Sequence, residues 1–140
     1  MGGERTAVLG VGQTRYSSNR GDVSIAGLVR EAAYRALEDA RLGWAEIDAV
    51  VIGKAPDFFE GVVMPELYLA DALGCVGKPM LRVHTAGSVG GSTALVAASL
   101  VQSRVHRRVL TLGFEKQSES NATWALSLPQ PFSVSINAGA

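Results

Sequence analysis

A single cysteine, Cys75, stands among the 140 residues of the chain. No disulfide can form within it, nothing points to an oxidising compartment, and a thiolate zinc site, which takes several cysteines, is excluded. Charge of one sign is equally lacking. Thirteen basic side chains match thirteen acidic ones, so no net field draws in nucleic acid or an anionic membrane. Aromatics make up only 6% of the chain, and no basic run is interleaved with them. Long apolar runs are missing too, because Gly, Ser or a charge interrupts each one well short of the ~20 residues that span a bilayer. Met1–Thr6 carries Glu4 and Arg5 and no apolar block of signal-peptide type. These absences lead to the expectation of a cytoplasmic domain with no membrane span.

What is present is the balance of a folded protein, 47% hydrophobic and 19% charged, in a chain long enough for one core. Thr6–Val11 (TAVLGV) reads as a buried strand and Gly12–Asp22 as a polar loop. Ser24 caps a helix running to about Arg41, with Ile25, Leu28, Val29, Ala32, Ala36, Leu37 and Ala40 on one apolar face. Glu31 and Arg35 pair on the wet side, and Gly43 fits the stop. Ala49–Ile52 reads as a second strand, Asp57–Val63 as a loop with Phe58 and Phe59, and Pro65 as the start of a short helix through about Leu73. A third strand follows at Met80–Val83, a helix from about Ser88 to Ser103, and a fourth strand at Val109–Gly113. Strands alternating with helices predict an α/β domain with a mostly parallel sheet and a central helix packed on it. Beyond Gly113 the pattern fades, and Ser118–Ala140 shows no periodic element.

The chemistry concentrates in His84–Ser103, HTAGSVGGSTALVAASLVQS. A strand there leads into a turn of small residues, with Gly87, Gly90 and Gly91 around Ser88, and a helix begins at the turn. Its unpaired N–H groups and the positive end of its dipole face whatever lies beside Ser88. Such turns hold nucleophiles and oxyanion sites in acyl-transfer enzymes, and they also serve packing alone; spacing leaves both readings open. The stretch is no Walker A loop, no full G-x-G-x-x-G fingerprint and no G-x-S-x-G elbow, since Ala86 takes the first glycine position. His84 lies four residues before Ser88 on a strand, and reads either as a satisfied surface histidine or as a base.

Gly91-Ser92-Thr93-Ala94-Leu95 with its small-residue helix, followed by Val109–Ser118 (VLTLGFEKQS), resembles the N-terminal half of thiolases. The likeness is to the sterol-carrier-protein-type branch with its bacterial lipid-transfer homologues. Val8–Arg15 (VLGVGQTR) and Asp48–Gly53 (DAVVIG) fit the same family in the same order. The resemblance implies a thiolase-like N-terminal domain over residues 1–140, with the C-terminal half absent from this chain. It implies a coenzyme A thioester as substrate, no covalently bound cofactor and no metal. It also places the family's acyl-accepting cysteine at Ser88. With serine there, and Cys75 out of register, the resemblance points to the branch that cleaves steroid side chains by retro-aldol chemistry without an acyl-cysteine. That branch works with a small OB-fold partner protein.

The family's fold sets two similar halves around central helices, and its default assembly is a homodimer with the Met80–Val83 strand near the two-fold. The helix Thr93–Val101 is then expected to need cover from the chain's own or a separate second half, and the 140 residues alone are not expected to be active. Two other readings stay open, a thiolase-type acyltransferase and a non-catalytic scaffold of the same fold. Glu115 and Lys116, at the end of the last strand, read first as a structural ion pair or dimer contact.

Overall fold

The computed structural model describes residues 5–54, 62, 64–116 and 118. The loop read at Asp57–Val63 therefore lies outside the described residues except for Val62, as does Ser118–Ala140 after its first residue. Helix α1 spans Ile25–Ala40, and the Gly27 N–H donates to Ser24 Oγ at 3.1 Å, the expected cap. Ile25, Val29, Ala33 and Leu37 form its buried line, and Arg35 meets Glu31 at 2.8 Å on the outer side. The helix stops earlier than its glycine signal. Arg41 takes the left-handed conformation (φ 55°), and the Leu42 N–H returns to the Leu37 carbonyl at 2.9 Å. Leu42 packs against the core, and that apolar contact after the last turn offsets the strain of a non-glycine at positive φ. Gly43 instead opens a short 3₁₀ turn, Trp44–Glu46.

Three strands follow: β1 Ala49–Gly53, β2 Met80–Val83 and β3 Val109–Gly113. They pair in the order β2-β1-β3, all parallel. All five residues of β1 are buried, as a parallel strand covered on both faces demands. Val50 and Ile52 join Val29 and Leu37 of α1 and Leu69 of α2 (Pro65–Ala70) in one core. The opposite face of β1 lies under α3 (Val89–Gln102), where Gly53 comes up against Thr93 and Val89. The α2 helix ends short of the expected Leu73, and the chain turns through Gly74 (φ 64°) and Gly77 (φ 81°) into β2, conformations glycine adopts at no steric cost. Helix α3 buries Thr93 and Ala97 against the sheet, while Leu95 stays 71% exposed. Within this chain the central helix is thus covered on its sheet side.

The first expected strand is the main departure. Arg5–Gly12 does not pair with the sheet but runs along α1. The reason is local. The Val11 N–H donates to Asp39 Oδ2 at 2.8 Å, and Arg35 Nη1 donates to the Gln13 carbonyl at 2.5 Å. Gly10 sits on the backbone of Ala36 and Ala40, and Gly12 on that of Ala32 and Ala36. Four attachments fix the segment on α1.

At the amino end of the sheet, the Asp48 carboxylate accepts the N–H groups of Arg107 and Arg108 at 2.8 and 2.9 Å. Those two backbone donors, Arg108 foremost, hold its acidity below the ordinary carboxylate range. A depressed folded pKa gives stability that is fully present above the unfolded value and fades as pH falls through the folded one. Asp48→Ala is expected to destabilise the protein by about 1 kcal/mol at neutral pH. The gap from the parent should close below the carboxylate range, and a series of thermal melts against pH measures both effects. Gly53→Ala would drive a Cβ into Thr93 and is expected to cost about 1–3 kcal/mol, read as a lower denaturation midpoint.

Candidate functional site

The carboxyl ends of the three strands gather the residues of interest. The chain leaves β1 towards the α1/α2 face, by way of α2, and leaves β2 towards the opposite face, by way of α3. Adjacent strands whose connections diverge open a crevice between their carboxyl ends, the usual ligand position in an open parallel sheet. That end of the sheet carries Lys54, which follows β1, and His84-Thr85, which follow β2; the Lys54 N–H donates to the Val83 carbonyl at 3.3 Å.

Beyond Thr85 a 3₁₀ turn, Ala86–Ser88, feeds α3. Ser88 takes the capping position, but its side chain caps nothing. Its Oγ instead donates to the Thr85 carbonyl at 2.8 Å, while its backbone N–H donates to the same carbonyl at 3.1 Å. Thr85 Oγ1 in turn donates to Ser92 Oγ at 2.8 Å. The hydroxyl proton of Ser88 is therefore held by an amide carbonyl, not by a base, and its lone pairs are left to accept. Gly87, Gly90 and Gly91 face open space, since a Cβ built on any of them meets nothing within 4 Å. The first-turn N–H groups of α3 thus sit on a backbone that a ligand can approach closely. His84 is exposed, and among the described residues no hydrogen bond joins it to Ser88. The structure brings Ser88, Gly87, Gly90 and Gly91 into one turn and leaves His84 at its rim.

Cys75 is elsewhere. It lies in the core formed with α1 and α2, before the amino end of β2, with Sγ 3.8 Å from the Leu73 carbonyl. Burial raises its thiol pKa, partly countered by Lys78, which makes it a poor nucleophile. Sequence reasoning passed over Lys54. Its side chain is fully buried at the end of the central strand and faces Glu115 Oε2 at 3.8 Å. A lysine directly after an all-apolar central strand was the available signal. The neighbouring Lys116 is buried too and donates to the Val23 carbonyl at 2.8 Å, tying the end of β3 to the start of α1. Glu115 and Lys116 thus both make structural contacts.

Among the described residues, no three or more His, Cys, Asp or Glu side chains are grouped as a metal site requires. None of their helices is long and apolar enough to cross a membrane.

No protein-family model matches the chain. Human sterol carrier protein 2 is 29% identical over 119 residues, 84% of this chain and 21% of that protein. An acetyl-CoA acetyltransferase of Methanothermobacter thermautotrophicus is 33% identical over 115 residues, 81% of this chain and 30% of that protein. The chain therefore spans about a fifth to a third of the length of these curated relatives. Among solved structures, a 3-oxoacyl-[acyl-carrier-protein] synthase III from Aquifex aeolicus superimposes with a TM-score of 0.63 at 21% identity, over 75% of this chain and 35% of that one. With its parallel sheet and the Ser88 turn feeding α3, the chain belongs to the thiolase superfamily, on the side of sterol carrier protein 2.

Proposed function

We propose that the whole protein binds an acyl-CoA thioester at the carboxyl edge of the sheet and cleaves a carbon–carbon bond beside the thioester by retro-aldol chemistry. The observation that carries this reading is the hydrogen bond from Ser88 Oγ to the Thr85 carbonyl. A covalent mechanism needs a nucleophile whose proton a base can take, and the residue at the family's cysteine position has its proton on a carbonyl. Retro-aldol cleavage needs no nucleophile. A base removes the proton from the β-hydroxyl, the bond between the α- and β-carbons breaks to leave a carbonyl product, and its electron pair passes to the thioester as an enolate. A proton delivered to the α-carbon then gives the shortened acyl-CoA.

The turn suits the enolate step. The N–H groups at the start of α3 and the open backbone of Gly87, Gly90 and Gly91 supply donors where negative charge develops. His84, one residue past β2 and exposed, is the base in this reading. Lipid or steroid side chains are the substrate class that the resemblance implies. The relatives named sterol carrier protein 2 support a lipid substrate, and the acetyltransferase relative supports the thioester. The exposed outer side of α3, Leu95 above all, supports a second thiolase-like half packed there. The edge of β2 away from β1, where no described strand pairs, supports a homodimer, and an OB-fold partner completes the assembly.

The test is kinetic, on the full-length protein with a β-hydroxyacyl-CoA and no free coenzyme A. Ser88→Ala is expected to keep kcat within about tenfold of the parent, and His84→Gln to lower it by about 10²–10⁴. A Ser88→Ala loss of ~10⁴-fold with binding intact, or an acyl-enzyme seen by intact mass, overturns the non-covalent reading. Product formation that requires added coenzyme A would instead mark a thiolytic acyltransferase.

A further inference from the structure

Ser24 and Ser88 both stand at the amino end of a helix, and they behave differently. Ser24 is extended (φ −68°, ψ 163°), and its Oγ accepts the Gly27 N–H at 3.1 Å, as a capping serine does. Ser88 has φ −97° and ψ 9°, and its side chain caps nothing. Its hydroxyl turns back to the carbonyl of Thr85 at 2.8 Å. That carbonyl also takes the Ser88 N–H. An amide oxygen has two lone pairs, so one residue fills both. The N–H groups at the start of α3 are thus kept from the side chain that would ordinarily occupy them.

What holds the Thr85 carbonyl in place is the side chain of the same residue. The turn itself is soft. Gly87, Gly90 and Gly91 surround Ser88 and border open space, and a glycine backbone loses the most freedom when it is ordered. Thr85 is β-branched, which stiffens its first side-chain torsion, and its Oγ1 donates to Ser92 Oγ at 2.8 Å. Ser92 lies four residues beyond Ser88 on the same side of α3. The bond therefore joins the chain entering the turn to the helix leaving it. Thr93 and Ser99, two other hydroxyls of α3, donate to the Val89 and Leu95 carbonyls four residues earlier, the ordinary use of a hydroxyl within a helix. Ser92 Oγ is engaged by Thr85 instead.

We infer that Thr85 is a positioning residue of the site. Its hydroxyl, fixed on Ser92, holds its carbonyl where that carbonyl keeps the Ser88 hydroxyl off the amino end of α3. The N–H groups there stay open to the enolate oxygen. The chemical consequence rests on the proposed cleavage, whereas the clasp is a feature of the turn alone. With the clasp lost, the Ser88 hydroxyl falls back on the Gly90 or Gly91 N–H, the positions a capping serine serves. A donor occupied in that way must be freed before it can receive the enolate. Such donors act on charge that develops only in the transition state, so obstructing them lowers kcat and leaves KM nearly unchanged. Thr85 touches no reacting atom in this arrangement and acts through Ser88.

The test uses the full-length protein, with a β-hydroxyacyl-CoA for kinetics and amide hydrogen exchange of the ligand-free protein for the turn. Thr85→Val keeps the shape and removes the hydroxyl. It is expected to lower kcat about fivefold with KM within about twofold. Ser92→Ala is expected to do the same, and the two together no more. Thr85→Ser keeps the bond and should stay within about twofold of the parent. The decisive variant is Thr85→Val with Ser88→Ala. No hydroxyl is then left to fall back, and kcat should return to the level of Ser88→Ala alone. Exchange at Gly90 and Gly91 should slow about fivefold in Thr85→Val and quicken again in the double variant, with Ala97 protected throughout as a sign of intact α3.

A double variant as slow as Thr85→Val overturns the inference, because the lost hydroxyl then merely loosens the turn. Additive losses from Thr85→Val and Ser92→Ala overturn it as well, and so does unchanged exchange at Gly90 and Gly91. A rise in KM at constant kcat makes Thr85 a substrate contact and overturns its positioning role. A parent protein that cleaves no β-hydroxyacyl-CoA sinks the proposed reaction alone, and exchange at Gly90 and Gly91 then decides the clasp by itself.

Discussion

The burial of β1 on both faces and both edges is the constraint from which the rest of the fold follows. A strand in that position must satisfy every backbone group from its neighbours, and the parallel ladders to β2 and β3 do so. It must also present side chains that two helical layers can accept. Val50 and Ile52 answer to α1 and α2, while Gly53 lets α3 approach closely enough for Thr93 to lie against the strand. Because Thr93 and its bond to the Val89 carbonyl at 2.6 Å sit one turn above Ser88, the closeness of that contact also sets where the Ser88 turn stands. Packing and site share one determinant, which is why glycine occupies the last position of the central strand.

The sequence made the local elements legible wherever one face of an element is buried and its ends carry chemical signals. Ser24, the line from Ile25 to Leu37, and the apolar Ala49–Ile52 run all read directly into structure. The failures are of a different kind. Arg41 ends α1 because Leu42 finds the core, a tertiary contact that no helix-stop rule contains. Thr6–Val11 has a strand's composition but is held on α1 by Asp39, Arg35 and two glycines. Composition reports what a segment prefers to bury, whereas position depends on which partners reach it first. The all-round apolar character of α3 was legible as well, and the structure buries its Thr93 and Ala97 side against the sheet while Leu95 stays exposed.

Of the site, the turn was visible as a pattern and its chemistry was not. Small residues between a strand and a helix signal close approach, and the structure places Gly87, Gly90 and Gly91 on open space beside Ser88. The direction of a hydroxyl proton is another matter. Ser88 Oγ reaches the Thr85 carbonyl only because the 3₁₀ turn brings that carbonyl beneath it, and no spacing rule encodes this. Lys54 was missed for a similar reason. A charged residue after a strand is ordinarily solvated, and its burial against Glu115 arises from the adjacency of β1 and β3, which lie more than fifty residues apart in the chain.

The same adjacency bears on how the domain is held together. Buried ion pairs contribute little net stability, because desolvation offsets most of their attraction, but breaking one leaves a charge with nothing to compensate it. Lys54 with Glu115, and Lys116 with the Val23 carbonyl, therefore act less as sources of stability than as specifiers of register. They join β1 to β3, and β3 to the start of α1, at the edge where the candidate site lies. The amino edge uses a different device, the exposed carboxylate of Asp48 on two backbone donors, which is cheap to solvate. The costly, geometrically demanding contacts thus stand at the carboxyl edge, where they fix the positions of β1, β3 and the start of α1 relative to one another.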